Sequence, residues 1–237
     1  MKSFEVQVKQ AAFFIGIFAL MVIGGVTFSG CGSSQGPLGF VTMGEPCTNP
    51  PDAIQTVVNA YNENLVAQGS DPIQPGLRCT LYNVPNMPST PCLNSSSISG
   101  CNQLSSSSGY VSVATWTYNG TIDQADQVGT SGSNLLPTAL QGLYSQNFAV
   151  ICTGYFVNTD YNYHEFDLDS DDGSLLYLNG SLFLNNDGEH SSADVKGEKY
   201  LEAQVYSFQL NYFQGPGYTQ LILNEDGSVA SAASFYH

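Results

Sequence analysis

Ser170-Asp171-Asp172-Gly173-Ser174, set between Tyr163-His164-Glu165-Phe166-Asp167-Leu168 and Leu175-Leu176-Tyr177-Leu178-Asn179-Gly180, is the stretch on which the reading of this chain turns. Phe166 and Leu168 fall on one face of an extended segment, and Glu165, Asp167, Asp169 and Asp171 on the other, as the two-residue period of a strand requires. The apolar face predicts a sheet packed on a core. The strand then runs into adjacent carboxylates and a glycine, which can be read in two ways. One is an acidic β-turn, because Asp and Gly serve turns whatever the function. The other is a pocket of hard oxygen ligands suited to Ca²⁺, which makes Asp171 and Asp172 the candidate metal ligands.

Working outward, the β signal continues. Tyr110-Val111-Ser112-Val113-Ala114-Thr115-Trp116-Thr117-Tyr118 is rich in β-branched and aromatic residues and is followed by the turn pair Asn119-Gly120. From there to the end the chain reads as all β. Trp116 is expected to pack on the sheet, with a sugar-stacking platform as the rival role. Asn185-Asn186-Asp187-Gly188 reads as a polar turn.

The order of parts from Gly154-Tyr155-Phe156 onward resembles the PA14 domain family. A strand of F-x-L type leads to the S-D-D-G turn. A short strand then runs to Asn179-Gly180, a second to Asn185-Asn186-Asp187-Gly188-Glu189-His190, and further strands carry Tyr200-Leu201-Glu202-Ala203, Leu210-Asn211-Tyr212 and Leu221-Ile222-Leu223. The likeness covers Gly109 to Leu223. It implies a β-sandwich or barrel-like module of extracellular proteins, often binding carbohydrate. In the lectin members an Asp-Asp pair joined by a cis peptide holds a Ca²⁺ that meets sugar hydroxyls, and Asp171 and Asp172 match that pair. Those lectins add an asparagine and backbone carbonyls from a late loop. Here the corresponding loop, Phe213-Gln214-Gly215-Pro216-Gly217, has neither Asn nor Asp, so Gln214 and the carbonyls around Gly215 are the candidate contacts. Asn186 and Asp187 are further candidates, because in the family their loop lies beside the metal. His164 stands where the family has an aromatic residue.

The N-terminus predicts export. Lys2 and Lys9 precede an apolar run from Ala11 to Val26, which reads as a signal sequence over residues 1–30. Phe28-Ser29-Gly30-Cys31 resembles a bacterial lipobox that would make Cys31 the lipidated first residue, with residues 31–37 as a tether and the outer membrane as its address. An uncleaved membrane helix is the alternative.

Composition agrees. The 237 residues carry 20 Asp and Glu against 5 Lys and Arg, a net charge of −15. Beyond residue 30 only Arg78, Lys196 and Lys199 are basic. Phosphate binding needs a clustered basic surface, so nucleic acid is excluded as a partner.

Residues 38–104 form a distinct segment rich in Cys, Pro and Ser. Ile54, Val57, Val58, Tyr61 and Leu65 recur at helix spacing within it, after Pro51 and before Gly69. The rest of the segment is expected to be irregular, disulfide-stapled coil lying across a β domain at residues 105–237, with a loosely ordered stalk as the alternative. Cysteine usage fits an oxidising compartment. Cys92 with Cys101 is the first choice of bridge and Cys47 with Cys79 the second, leaving Cys152 as a buried thiol. A zinc site is unsupported, as the chain has neither C-x-x-C nor H-E-x-x-H.

A catalytic reading finds no footing. The one G-x-S-x-G spacing, Gly32-Ser33-Ser34-Gln35-Gly36, falls in the tether and not at a strand-to-helix elbow, and His164, His190 and His237 have no triad partners in view. The Asp167, Asp169, Asp171 and Asp172 carboxylates crowd one strand, whereas a glycosidase pair faces across its substrate. Two functions remain: a cell-envelope adhesion lipoprotein binding glycan through calcium, or a non-catalytic structural or protein-interaction module without sugar binding.

Overall fold

The computed structural model describes residues 53–105, 109–128 and 135–237, with backbone only for 125–128. The signal segment 1–30, Cys31, the tether 31–37 and Cys47 lie outside the described residues.

The chain begins with helix α1 (Ala53–Ala67), then strands β1 (Leu77–Asn83), β2 (Pro91–Cys92), β3 (Asn102–Gln103), β4 (Val111–Tyr118) and β5 (Asp123–Val128). A short helix α2 (Thr138–Gln141) precedes β6 (Phe148–Val157), β7 (Asn162–Asp171), β8 (Ser174–Leu178) and β9 (Ser181–Asn186). The remaining strands are β10 (Ala193–Leu201), β11 (Val205–Gln214), β12 (Tyr218–Glu225), β13 (Ser228–Val229) and β14 (Phe235–Tyr236). They form a mostly β protein of two large antiparallel sheets, with β2 and β3 paired in parallel as a separate two-stranded ladder. One large sheet has seven strands in the order β4-β1-β6-β11-β8-β9 with β14 also on β6; the other has five, β10-β7-β12-β13 with β5 on β12.

Strand alternation makes the core. Phe166 and Leu168 of β7 are fully buried, and across the sandwich they meet residues such as Phe156, Phe208, Leu210 and Phe235. Phe156 stands edge-on to Phe166, with ring centroids 5.5 Å apart, a favoured aromatic geometry. Trp116 packs against this core from β4.

Helix α1 covers one end of the seven-stranded sheet's outer face. Val58 is buried there, and Ile54, Val57, Tyr61 and Leu65 line the same contact with Val157, Val205 and Tyr155. The helix stops at Gly69, whose φ of 77° lets Gly69 N–H reach the Val66 carbonyl (3.0 Å) and Ser70 N–H the Leu65 carbonyl (2.9 Å). That is the double closure which a left-handed glycine after a helix provides.

Three expectations for the region before residue 105 are corrected. Residues 77–83 are not irregular coil but a strand between β4 and β6, because Leu77, Cys79 and Leu81 alternate inward. The boundary at 104/105 therefore cuts through a single compact unit that includes α1, β1 and the β domain. Cys79 is bridged to Cys152 rather than to Cys47, because the pairing of β1 with β6 sets the two directly opposite each other; Cys152 is accordingly a half-cystine and not a thiol. Cys92 is bridged to Cys101, and among the described residues no cysteine is free.

Candidate cation and ligand site

The turn between β7 and β8 delivers the acidic pair. β7 pairs with β12 up to Asp171, opposite Gln220, and β8 leaves at Ser174 opposite Tyr212 of β11. The turn therefore ends one sheet and begins the other. The Asp171–Asp172 peptide is cis. Gly173 is required next: a Cβ there would sit 2.4 Å from the Phe213 ring and 2.6 Å from the Gly188 nitrogen. Behind the turn, the Ser170 and Ser174 hydroxyls are 2.7 Å apart. The hydroxyl of the fully buried Tyr212 lies 2.6 Å from the Asp171 carbonyl oxygen.

Two other loops close on the pair. Gly215 N–H donates to Asp172 Oδ2 at 2.7 Å and His190 N–H to Oδ1 at 3.2 Å. Ser192 N–H donates to Asp171 Oδ2 at 3.1 Å. Asp171 is 9% exposed and Asp172 4%, so two carboxylates share a poorly solvated corner. Burial pushes the Asp172 carboxyl up to about 6, with Asp171 and Glu189 adding repulsion and the Gly215 and His190 amides partly offsetting it. A divalent cation would relieve this electrostatic load, and the donor set is the hard-oxygen kind that calcium prefers. The residues present thus fit the ion.

That shift makes a pH prediction. The folded-state value lies above the ordinary Asp value of about 3.9, so between roughly pH 4 and 6 the folded chain binds more protons than the unfolded one. The stability this group contributes is therefore present below about pH 4 and lost as pH rises through about 6. In chelator, unfolding free energies from denaturant titrations at pH 4.5 and 7 should differ more in the native chain than in Asp172→Asn, by roughly 2 kcal/mol. Equal differences in the two proteins would refute the assignment.

The other candidate residues take different places. Gln214, fully buried, turns inward: its Oε1 meets the Tyr212 hydroxyl, and its amide N–H groups go to the carbonyls of Gly215 and Tyr218. It braces the late loop instead of serving as a ligand, while Gly215 reaches the pair by its backbone. Asn186 is also buried, its amide donating to Ala193 O (2.7 Å), Ser170 Oγ (3.0 Å) and Leu168 O (3.4 Å). It ties β9 to β7 and β10. Asp187 faces away from the acidic pair and accepts from Leu93 N–H, Asn94 N–H and the Ser97 hydroxyl. It clamps the Cys92–Cys101 loop onto the β domain.

Sequence reasoning missed Ser192, which carries no motif, and Tyr212, whose inward phase with Leu210 was its only signal. It also missed the cluster at the opposite end of β7. There His164 sets Nε2 2.9 Å from Asp160 and Nδ1 2.9 Å from Asp226 and 3.3 Å from Glu225. Burial alone would lower the imidazole's pKa, but the hydrogen bonds to Asp160 and Asp226 outweigh it and raise it. The departure from an aromatic residue at position 164 is thereby explained: the ring joins the loop before β7 to the turn after β12.

Comparison with known proteins agrees with this architecture. The sequence model described as "PA14 domain" matches residues 102–230, over half of the chain. Among solved structures, the PA14 domain of the MpAFP antifreeze protein aligns at 17% identity and a TM-score of 0.50, covering 70% of this chain and 92% of that one. The PA14 sugar-binding domain of an RTX adhesin aligns at 21% identity and a TM-score of 0.47, covering 69% and 98%. The A domain of epithelial adhesin 6 from Candida glabrata, solved with Galb1-3GlcNAc, gives 16% and 0.49, covering 69% and 87%. An anti-sigma factor domain-containing protein gives 16% and 0.49; the match covers 69% of this chain and only about half, 48%, of that one. No curated protein sequence matches. With the family's sequence model spanning most of the two sheets and the acidic pair at the turn between β7 and β8, the chain belongs to the PA14 domain family.

Proposed function

We propose that this chain is an exported, non-catalytic glycan-binding protein of the cell envelope, anchored through lipid on Cys31, whose PA14 domain uses a Ca²⁺ held by Asp171 and Asp172. The observation that carries the reading is the placement of two buried carboxylates side by side at a loop junction, one of them with its pKa driven up to about 6. Carbonyl oxygens of the loop around Gly215 are the natural additional donors. Bound calcium would supply a positive centre for sugar hydroxyls. Exposed Tyr218, at the start of β12 beside that loop, offers an apolar ring face.

A second reading is a structural or protein-interaction module that binds no sugar. The inward turn of Gln214, which leaves the late loop without a free side-chain ligand, favours it. Thermal unfolding separates the two, since a ligand of the folded state raises the melting temperature. The glycan reading expects calcium to stabilise the chain and a subset of sugars to stabilise it further. Calcium stabilisation with no increment from any sugar would leave the structural module.

A further inference from the structure

We propose that the outer face of the seven-stranded sheet carries a second binding site, for a carboxylate-bearing saccharide, centred on Arg78. The face is covered at one end by α1, which packs over Tyr155, Val157 and Val205. At the other, residues around Val84, Leu104 and Tyr110 pack over Ala149 and Phe213. Between these covers lies a groove of about 660 Å³, within the range of roughly 300 to 1,000 Å³ typical of small-molecule sites.

The strand register builds its floor. Arg78 of β1 pairs with Thr153 of β6, Thr153 with Gln209 of β11, and Gln209 with Tyr177 of β8. All four line the groove, so they form one polar row across four strands. With strands about 4.8 Å apart, the row extends over about 14 Å. Ser207 and Tyr155 form the neighbouring pair. The Tyr155 ring is fixed against Tyr61 of α1 at 5.6 Å. Nearby, His237 Nδ1 is buried without a hydrogen-bond partner among the described residues.

Charge selects the ligand. Arg78 is the sole arginine of a chain with 20 acidic residues, yet no lining residue of the groove is Asp or Glu. The described lysines are engaged elsewhere, Lys196 with Asp167 at 3.1 Å and Lys199 over the Phe183 ring. Arg78 is exposed and makes no ion pair among the described residues. A guanidinium presents a planar fork that matches a carboxylate with two parallel hydrogen bonds. The rest of the row offers hydroxyls, an amide and a tyrosine ring, the groups that meet sugar hydroxyls and the apolar face of a pyranose. No Val, Ile, Leu or Met lines the groove to take peptide side chains. These features together point to an acidic sugar unit, such as a uronate in a polysaccharide.

The test is calorimetry on the full chain in EDTA, which silences any site depending on a divalent cation at Asp171 and Asp172. The probes are trigalacturonate, trimannuronate and sialyllactose, the methyl ester of trigalacturonate, and hexaglutamate. The expected result is that at least one acidic sugar binds. Methyl esterification and Arg78→Gln should each weaken it by about tenfold or more, Arg78→Lys less, and Tyr177→Ala should weaken it several-fold. Asp171→Asn/Asp172→Asn should leave it unchanged. Arg78 projects from the sheet surface, so an unaltered melting curve for Arg78→Gln is expected and excludes misfolding. Absence of binding by all three acidic sugars at millimolar concentration, equal binding of acid and ester, or indifference to Arg78→Gln would overturn the proposal. Tighter binding of hexaglutamate than of every sugar would overturn its saccharide half.

Discussion

Asp171→Asn/Asp172→Asn is expected to lose at least about 100-fold in calcium affinity, because both anionic ligands of the proposed ion are replaced by neutral amides. The substitution keeps an acceptor for Ser192 N–H and for one of the two amides, Gly215 and His190, that reach Asp172 through different oxygens; the other loses its bond, because Asn has a single acceptor oxygen. The substitution also removes the repulsion between two carboxylates in a corner where each is less than a tenth exposed. In chelator, therefore, the variant should melt no lower than the native chain. Calcium calorimetry beside thermal melts checks both halves. Affinity within threefold of native would show that the ion, if bound, is held elsewhere.

Asp187→Ala is expected to destabilise the chain by about 3 kcal/mol, since it strands donors that the carboxylate now satisfies. Leu93 N–H lies 2.8 and 3.1 Å from its two oxygens and Asn94 N–H 3.0 Å from one of them. The Ser97 hydroxyl also donates to it, and Gly188 N–H is 2.9 Å away. Asp187 is 6% exposed, so water does not readily replace what is lost. Asp187→Asn keeps one acceptor oxygen and should cost less. Denaturant midpoints measure the loss, and hydrogen exchange should accelerate first at residues 92–101. A cost below about 1 kcal/mol would mean that the bridge between Cys92 and Cys101, not the clamp, holds this loop.

How much of this was legible beforehand depended on range. Phe166 and Leu168 announced their face through a two-residue period, and Ile54 to Leu65 announced α1 through a helical one; both signals are local. Asp171, Asp172 and Gly173 are contiguous, so the centre of the site could be read directly. Cys79 and Cys152 are 73 residues apart, and only the register between β1 and β6 makes them opposite. Asp187 looked like a turn residue because its partners lie about 90 positions earlier. Gln214 follows Tyr212 and Leu210 on the inward phase of β11, a pattern that outranked its position in a ligand loop. His164 departs from the family's aromatic position, and the reason for that lies in Asp160 and Asp226, which the strand pairing brings to its two ring nitrogens.

The most direct test of the account is a glycan array probed with the native chain in calcium and again in EGTA. The account predicts binding to a set of neutral glycans that disappears in EGTA and is absent for Asp171→Asn/Asp172→Asn. No neutral glycan bound in calcium, or binding that persists unchanged in EGTA and in the variant, would contradict it.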